Sequence, residues 1–327
     1  MNKKLAFLAA TLVVSLSWMG CNKSGKLSEP STFTPPAGAV ELKLKWPVGE
    51  RIVHDMEMKQ TSEFNIPGQA GPMKQDMTMG QGYDLTVLKA LPDGGHEVEM
   101  EFLSARMKMA MGGKAMMDYD STKKSVADKT DPAAGIFAKI VGSKIRYFLN
   151  ASNEVERLEG IDDLMNRLSS GGQAAAIAPL KSMFGEGYFK QMMSQNRSLP
   201  TNAVQPGDTW PVHMEFPMGI MGTMVIDHNF TFQSWEKHGQ RQCARLDFQG
   251  TVKNKPDLDS KPTGMSISGL DGTTSGTSWF DPELGTIIDT IINQDMNMVM
   301  NMRAAGSAQS ITNQMHQVIT IKLISVK

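Results

Sequence analysis

The feature that most constrains the fold of this chain is a period-two alternation of apolar and polar residues that returns along most of its length. In "HEVEMEF", residues 96–102, the apolar residues Val98, Met100 and Phe102 alternate with three glutamates. Successive side chains of a β-strand point to opposite faces, so such a run predicts a strand with one buried and one solvated face. Similar runs occupy residues 52–59, 77–88, 224–235, 241–253, 286–302 and 310–326. The pattern predicts about ten strands, several of them longer than usual.

Turn signals and one change of register indicate how these strands connect. The apolar positions change from even to odd numbers after Phe102, with no intervening turn. A one-residue slip moves every following side chain to the other face, so this change predicts a β-bulge near Leu103–Ser104. Hairpin turns are predicted at 92–95, 237–240 and 281–285. Antiparallel strands joined by short turns are therefore expected on both sides of the chain's middle.

Helical patterns are confined to that middle. They cover residues 131–141, 160–170 and 173–195, with Pro179 and Gly185 as expected breaks in the last. The linker 196–211 divides the chain roughly in half. The predicted fold class is α+β and β-rich: long antiparallel strands forming a curled sheet or half-barrel with a mid-chain helical insert.

The N-terminus has the composition of a targeting segment. Two lysines precede the apolar run 5–20, which is too short to span a membrane and suits a signal peptide. Cys21 follows directly, and this arrangement resembles the lipobox of bacterial lipoproteins, with Trp18 where that family usually has Leu. The resemblance implies a lipid on the Cys21 thiol. Because Asn22 rather than Asp follows, it also implies an outer-membrane location facing the periplasm. The alternative is a plain secretory peptide with an incidental cysteine.

These signals divide the chain into three parts. Residues 1–20 are a predicted signal peptide, and 21–40 comprise the lipidated cysteine and a Ser- and Pro-rich flexible tether. Residues 41–327 form a single β-rich domain. The tripeptide Trp-Pro-Val occurs at 46–48 and again at 210–212. A weak organisation of this domain into two halves, 41–199 and 200–327, is therefore an open alternative.

Charge and motif content exclude several classes of function. Two of the 33 basic residues and none of the 34 acidic ones precede Cys21, so the remainder carries a net formal charge of −3 without a basic cluster. A nucleic-acid partner is therefore not expected. No zinc, phosphate-loop or dinucleotide motif is present, so neither a metal nor a cofactor is assigned. "GMSISG", 264–269, misses the spacing of a nucleophile elbow, and Ser266 is taken as a loop serine. No catalytic residue can be named, no role is assigned to Cys243, and the protein is expected not to be an enzyme.

Methionine is the residue type left to suggest a function, since 25 of 27 methionines follow residue 20. Many occur as Met-x-Met, which places pairs on one strand face about 6.5–7 Å apart. Three interpretations stay open: ordinary core packing, an adaptable lining for varied apolar ligands, or a soft-metal site for Cu(I). His54 shares a predicted face with Met56 and Met58, which is compatible with the last. The proposed apolar lining consists of Met56, Met58, Met77, Met79, Met107, Met109, Met296, Met298, Met300 and Met302.

Two resemblances extend this interpretation. A signal peptide, a cysteine, a tether and a long-stranded sheet with a helical insert resemble the half-barrel lipoprotein carriers of the LolA, LolB and LppX type. That architecture implies acyl chains or lipids bound between sheet and helices. The stretches "LKWPVGERIVHDMEM" (44–58), "PGDTW" (206–210) and "SWFDPELGTIID" (278–289) are similar to a domain-of-unknown-function family of predicted bacterial lipoproteins. That family implies no functional residues.

The expected function is that of a membrane-anchored, non-enzymatic envelope lipoprotein. It would bind a hydrophobic, lipid-like ligand or an envelope protein partner, with the membrane reached through the N-terminal lipid. The alternative is a Met-rich periplasmic protein that handles copper or buffers oxidants, because methionine sulfoxide forms reversibly.

Overall fold

The computed structural model of the protein describes residues 26–123, 132–169, 185–194, 198–217, 222–255, 265–304 and 307–327. Antiparallel strands account for 64% of the chain and helices for 10%, in one curled, unclosed sheet of twelve strands. The predicted fold class is therefore confirmed. The strands are β1 Arg51–Asn65, β2 Met73–Ala90, β3 His96–Met111, β4 Lys114–Asp120, β5 Lys144–Leu149, β6 Val155–Glu159, β7 Thr209–Pro217, β8 Thr223–His238, β9 Arg241–Lys255, β10 Met265–Asp281, β11 Thr286–Ala304 and β12 Ser307–Val326. Because β10 begins at Met265, Ser266 lies in a strand and the expectation of a loop serine was wrong.

The order of strands in the sheet is β6-β5-β3-β2-β1-β12-β11-β10-β9-β8-β7, with β4 paired to β3. The first and last strands pair in the middle of the sheet, where Met58 lies opposite Ile319. Each half of the sequence thus supplies one side of a single sheet. Trp46 precedes β1 at the centre of this sheet, whereas Trp210 lies in β7 at its edge.

The predicted bulge in β3 is confirmed. Tyr83 of β2 pairs with Phe102, and its neighbour Gly82 pairs with Ser104, so Leu103 is the extra residue. The bulge keeps the apolar residues on both sides of Leu103 on one face of the sheet. That face continues from Phe102 into the methionines of β3.

Three nine-residue helices pack on that face, which we call the inner face. They are α1 Pro132–Ile140, α2 Ile161–Ser169 and α3 Glu186–Ser194. The helices predicted at 131–141 and 160–170 are confirmed. Only the end of the pattern at 173–195 is described, because residues 170–184 lie outside the described residues. No described helix has the length and hydropathy needed to cross a membrane.

The helices cover the end of the inner face that lies near the start of β1. Phe189 of α3 packs edge-on against Phe102, with ring centroids 6.3 Å apart. Leu164 and Leu168, one helical turn apart in α2, are at most 1% exposed. We call this region the helix-covered end.

The segment before β1 contacts the same end of the sheet. Thr32 Oγ1 donates a hydrogen bond to Glu283 Oε1 (2.7 Å), and Arg241 Nη2 donates to Glu283 Oε2 (2.9 Å). Lys26 forms an ion pair with Glu50, just before β1. Much of the predicted tether is therefore held against the domain from Lys26 onwards. Residues 1–20 and Cys21 lie outside the described residues.

Candidate ligand-binding face

Pairing across the sheet arranges the inner face in rows that run perpendicular to the strands. The middle one, which we call the glutamine row, crosses from β3 to β8 through Met109, Met77, Gln60, Gln317, Gln294, Thr274, Gly250 and His228. The first methionine row lies next to it, toward the helix-covered end: Met107, Met79, Met58, Ile319, Ile292, Gly276, Phe248 and Phe230. The second methionine row lies on its other side: Met111, Gln75, Ser62, Met315, Met296, Gly272, Val252 and Ile226.

These rows carry no formal charge. None of the described residues that form the three rows is Asp, Glu, Lys or Arg. The same holds for the adjacent rows through Met56 and through Met298. Charged neighbours such as Glu57 and Lys59 alternate onto the opposite, outer face, as the period-two pattern requires. Exposed Lys114, at the β3–β4 turn, pairs with Met111 at the edge of the second methionine row.

The structure places the predicted methionines on this one face. Met58, Met79 and Met107 are direct neighbours on three strands, and Met77 pairs with Met109. Met296 is buried, whereas Met56, Met58, Met77, Met79, Met107, Met109, Met298 and Met300 are half-buried. Met302 has the same parity in β11 as Met298 and Met300 and pairs with Gln309, but its side chain lies outside the described residues.

The face also holds methionines that the predicted lining did not include. Met111 and Met315 lie in the second methionine row, where Met315 pairs with Met296, and Met117 pairs with Met109. The alternation of "ITNQMHQVI", 311–319, places Met315 in phase with Ile311 and Ile319, so it could have been included. The described lining therefore joins β1–β4 to β11–β12.

Sequence analysis also missed the polar side chains between the methionines. Gln317 Nε2 donates a hydrogen bond to Gln294 Oε1 (3.1 Å), and Gln60 Nε2 donates to Ser62 Oγ (3.0 Å). Gln294 is only 7% exposed. A line of neutral amides thus crosses the centre of the face, between the two methionine rows.

Several buried polar atoms of the inner face have no hydrogen-bond partner among the described residues. They are Nε2 of Gln81, Oδ1 of Asn313, and Nδ1 of both His54 and His228. Each of these residues is at most 9% exposed. An unsatisfied buried polar atom costs about 1–3 kcal/mol, so each is a position where a water or a ligand group would be stabilising.

Two histidines of the inner face, His54 and His228, are neutral at ordinary pH. Burial lowers the pKa of His54 to about 4. Burial likewise lowers the pKa of His228 to about 4, against a smaller opposing effect of Asp227. Neither imidazole therefore supplies a positive charge to the face near pH 7.

The helix-covered end is tightly packed. A cavity of about 60 Å³ lies between α3 and the sheet, beside His54, Tyr83 and Met193. The ring of His54 stacks on Tyr83 with centroids 5.2 Å apart. This volume suits water rather than an acyl chain. Half-buried side chains of the inner face lie further along the strands, among the methionines.

The outer face carries an open polar groove of about 830 Å³ across β2, β1, β12, β11, β10 and β9. Its side chains include Glu63, Lys74 and Asp271. Exposed His316 contributes an Nδ1 atom 2.7 Å from an Asp295 carboxylate oxygen. The mixed charges and exposure are those of a solvated sheet face.

Two other chemical expectations can be located. Among the described residues, no three His, Cys, Asp or Glu side chains are grouped as metal ligands. Cys243 is fully buried, and burial raises the pKa of its thiol to about 12. A thiol in that environment is a poor nucleophile and a poor metal ligand.

Comparison with known proteins gives one family match. The model described as "Family of unknown function (DUF6263)" matches residues 93–287. No curated protein matches the chain.

Solved structures similar to the chain share little sequence with it. Lipovitellin, from a study of lipid–protein interactions, is 9% identical with a TM-score of 0.45 over 86% of this chain. The chain spans only 26% of lipovitellin's length. A protein described as exported, with a YmcC-like fold, from Bacteroides fragilis is 10% identical over 88% of this chain and all of its own (TM-score 0.28). One described as a lipoprotein from Parabacteroides distasonis is 11% identical over 89% of this chain and all of its own (TM-score 0.26).

Proposed function

The chain belongs to DUF6263, a family of unknown function, and we propose that it is a non-enzymatic lipoprotein of the bacterial cell envelope that holds a lipid-like ligand on its inner face. In this proposal a lipid on Cys21 anchors the protein, with the domain on the periplasmic side of the outer membrane. The lipobox-like sequence at 18–21 supports the anchor. The inner face supports the ligand.

The observation that carries the ligand proposal is the half-buried, uncharged methionine surface beyond the helix-covered end. Met58, Met79 and Met107 lie side by side there, and each retains some exposure. A sheet face that needed only to be packed would be served as well by Leu or Val. Methionine adds flexibility, and a methionine surface can repack around apolar ligands of different shape.

The docked N-terminal segment limits how far the domain can lie from an anchored membrane. Five residue steps separate Cys21 from Lys26, and an extended chain spans at most about 3.6 Å per residue, or about 18 Å here. Lys26 pairs with Glu50, at the helix-covered end. Gln60, in β1, lies ten residues after Glu50, which corresponds to about 33 Å along the strand. In this proposal the methionine surface therefore lies away from the bilayer that holds the anchor.

The anchor is tested by membrane fractionation of the full chain and two cysteine variants. Cys21→Ser should move the protein from the membrane pellet to the soluble fraction, because it removes the thiol that carries the proposed lipid. Cys243→Ser is the matched control and should stay in the pellet. A Cys21→Ser chain that still sediments with the membrane would refute the anchor.

The ligand is tested by native mass spectrometry of the full chain carrying Cys21→Ser, sprayed from a non-denaturing buffer. A reproducible adduct of lipid mass, lost on organic extraction, is the expected result. The bare chain mass, together with no binding of the uncharged fluorescent probe N-phenyl-1-naphthylamine, would refute a lipid-binding inner face. An adduct of copper mass would favour the copper-handling alternative instead.

A further inference from the structure

We infer that the ligand of the inner face is an uncharged amphiphile, with an acyl body on the methionines and a neutral hydroxyl, ester or amide group at the glutamine row. This inference rests on the proposed function and names the class of lipid. It is carried by three features: the absence of charge from the described rows, the position of the amides, and the unpaired polar atoms beside them.

The first feature excludes a charged headgroup from the face. From β3 to β8, no Asp, Glu, Lys or Arg occurs in the described rows from Met56 to Met298, and exposed Lys114 lies at the β3–β4 turn, paired with Met111. An ionised carboxylate or phosphate at the glutamine row would therefore find no adjacent counter-charge. His54 and His228 are buried, and neither supplies a positive charge near neutral pH. Burying an unpaired ion costs far more than burying a neutral group that can hydrogen-bond.

The second feature is where the amides lie. Gln60, Gln317 and Gln294 are direct neighbours on β1, β12 and β11. Adjacent strands are about 4.8 Å apart, so the three amides extend over roughly 10 Å. The methionine rows on either side are about 6.6 Å away along the strands, two residues in each direction. A molecule bound across this face meets apolar contact on both sides of a hydrogen-bonding line.

The amides also keep hydrogen-bonding capacity. An amide side chain has two donor hydrogens and two acceptor lone pairs. The bond from Gln317 to Gln294 uses one donor of the first and one acceptor site of the second. The remaining donors and acceptors suit a hydroxyl, ester or amide, each of which pairs without carrying charge.

The third feature is the unpaired atoms that flank this line. Asn313 Oδ1, a buried acceptor, lies two rows from Gln317 along β12, and Nε2 of Gln81, a buried donor, lies beside Met56. Asn313 is 4% exposed and Gln81 is 7% exposed. Both a donor and an acceptor are thus left open in rows that contain no charged residue from β3 to β8, which matches a ligand that both accepts and donates.

The test compares two amphiphiles with the same acyl chain and different head charge. The full chain carrying Cys21→Ser is loaded with N-phenyl-1-naphthylamine, which is then displaced by 1-decanoylglycerol or by decanoate at pH 7.4, both below their micellar concentrations. We expect 1-decanoylglycerol to displace the probe at a concentration about tenfold lower than decanoate.

Variants then separate the amides from general hydrophobicity. Gln294→Leu combined with Gln317→Leu should weaken binding of 1-decanoylglycerol about tenfold, as expected from the loss of one or two hydrogen bonds. Binding of the probe should be retained, which also shows that the variant is folded. Gln314→Leu is the matched control, since Gln314 lies on the same strand but is exposed on the outer face. It should leave both affinities unchanged.

The outcomes distinguish the two proposals. If neither the probe nor either amphiphile binds, the lipid-binding function fails and the inference fails with it. If decanoate binds as tightly as 1-decanoylglycerol, the lipid-binding function stands and the neutral headgroup is refuted. An unchanged preference in the double glutamine variant would likewise refute the role of the glutamine row.

Discussion

Replacing His54 by phenylalanine should make the protein less sensitive to acid. His54 is 9% exposed, its ring stacks on Tyr83, and its Nδ1 atom has no hydrogen-bond partner in the described part of the chain. Phenylalanine keeps a ring for this stack and removes the titratable imidazole. Comparison of the variant with the unsubstituted chain therefore measures how much stability is lost in acid because folded His54 stays unprotonated.

The sign and size of the effect follow from the pKa of His54. Burial lowers it from 6.5 to about 4 in the folded protein. The unfolded chain takes up a proton as the pH falls through 6.5, while the folded chain stays neutral until about 4, so acid favours unfolding in that interval. Above pH 6.5 the histidine contributes nothing to the pH dependence. At pH 4.5 the loss is about 2.5 kcal/mol relative to pH 7.5.

Urea unfolding at pH 7.5 and 4.5, followed by tryptophan fluorescence, measures this difference. Carboxylates also titrate in this range in both proteins. The quantity to compare is therefore the fall in unfolding free energy between pH 7.5 and pH 4.5, measured for His54→Phe and for the unsubstituted chain. We expect the variant to lose about 2.5 kcal/mol less. His213→Phe is the control, because His213 is exposed and its hydrogen bond to Asp227 raises its pKa instead. Equal acid losses in His54→Phe and the unsubstituted chain would refute a buried, neutral His54.

Three further predictions concern packing and charge. Gly250→Ala should lower the free energy of unfolding by about 1–3 kcal/mol, because a Cβ there would lie 1.9 Å from the Asp227 carbonyl oxygen. Gly269→Ala, with no atom nearer than 3.7 Å, should change it by less than about 0.5 kcal/mol in the same urea titration. Arg241→Met should cost about 3–5 kcal/mol, since it leaves the fully buried Asp281 without its partner. Arg245→Met, which removes a half-exposed pair with Asp247, should cost at most about 1 kcal/mol, and equal losses would contradict the argument. The Cys243 thiol should react with a thiol reagent only after unfolding, and labelling of the native protein within minutes would show that it is accessible.

Local patterns in the sequence predicted much of the sheet. The hairpin turns at 92–95, 237–240 and 281–285 all lie between consecutive paired strands. The change of phase after Phe102 located the bulge, because a strand face is fixed by residue parity alone. Parity also placed Met56 and Met296 on the buried side. These features depend only on neighbouring residues, so a single sequence contains them.

Pairing between distant strands could not be obtained in this way. Met58 lies opposite Ile319, and nothing in either strand specifies the other, since any two alternating strands present similar edges. The strand β4 was missed as well: "KAMMDYD", 114–120, contains adjacent methionines and no clean alternation. The extra residue in β4 opposite Met109 and Ala110 forms another bulge, which breaks the period-two signal.

The glutamine row shows why the candidate site was harder to predict than the fold. Gln60, Gln294 and Gln317 each interrupt an apolar alternation, and each alone suggests an exposed position or a weak strand. Only the pairing of β1 with β12 and of β12 with β11 makes them one line. A sheet selected for stability alone would gain by placing leucine at these buried or half-buried positions, since amides lose hydration there. A functional constraint is expected where a chain departs from its own apolar pattern without gaining stability. In this sheet, the three described amides of Gln60, Gln317 and Gln294 are such positions, and they lie side by side.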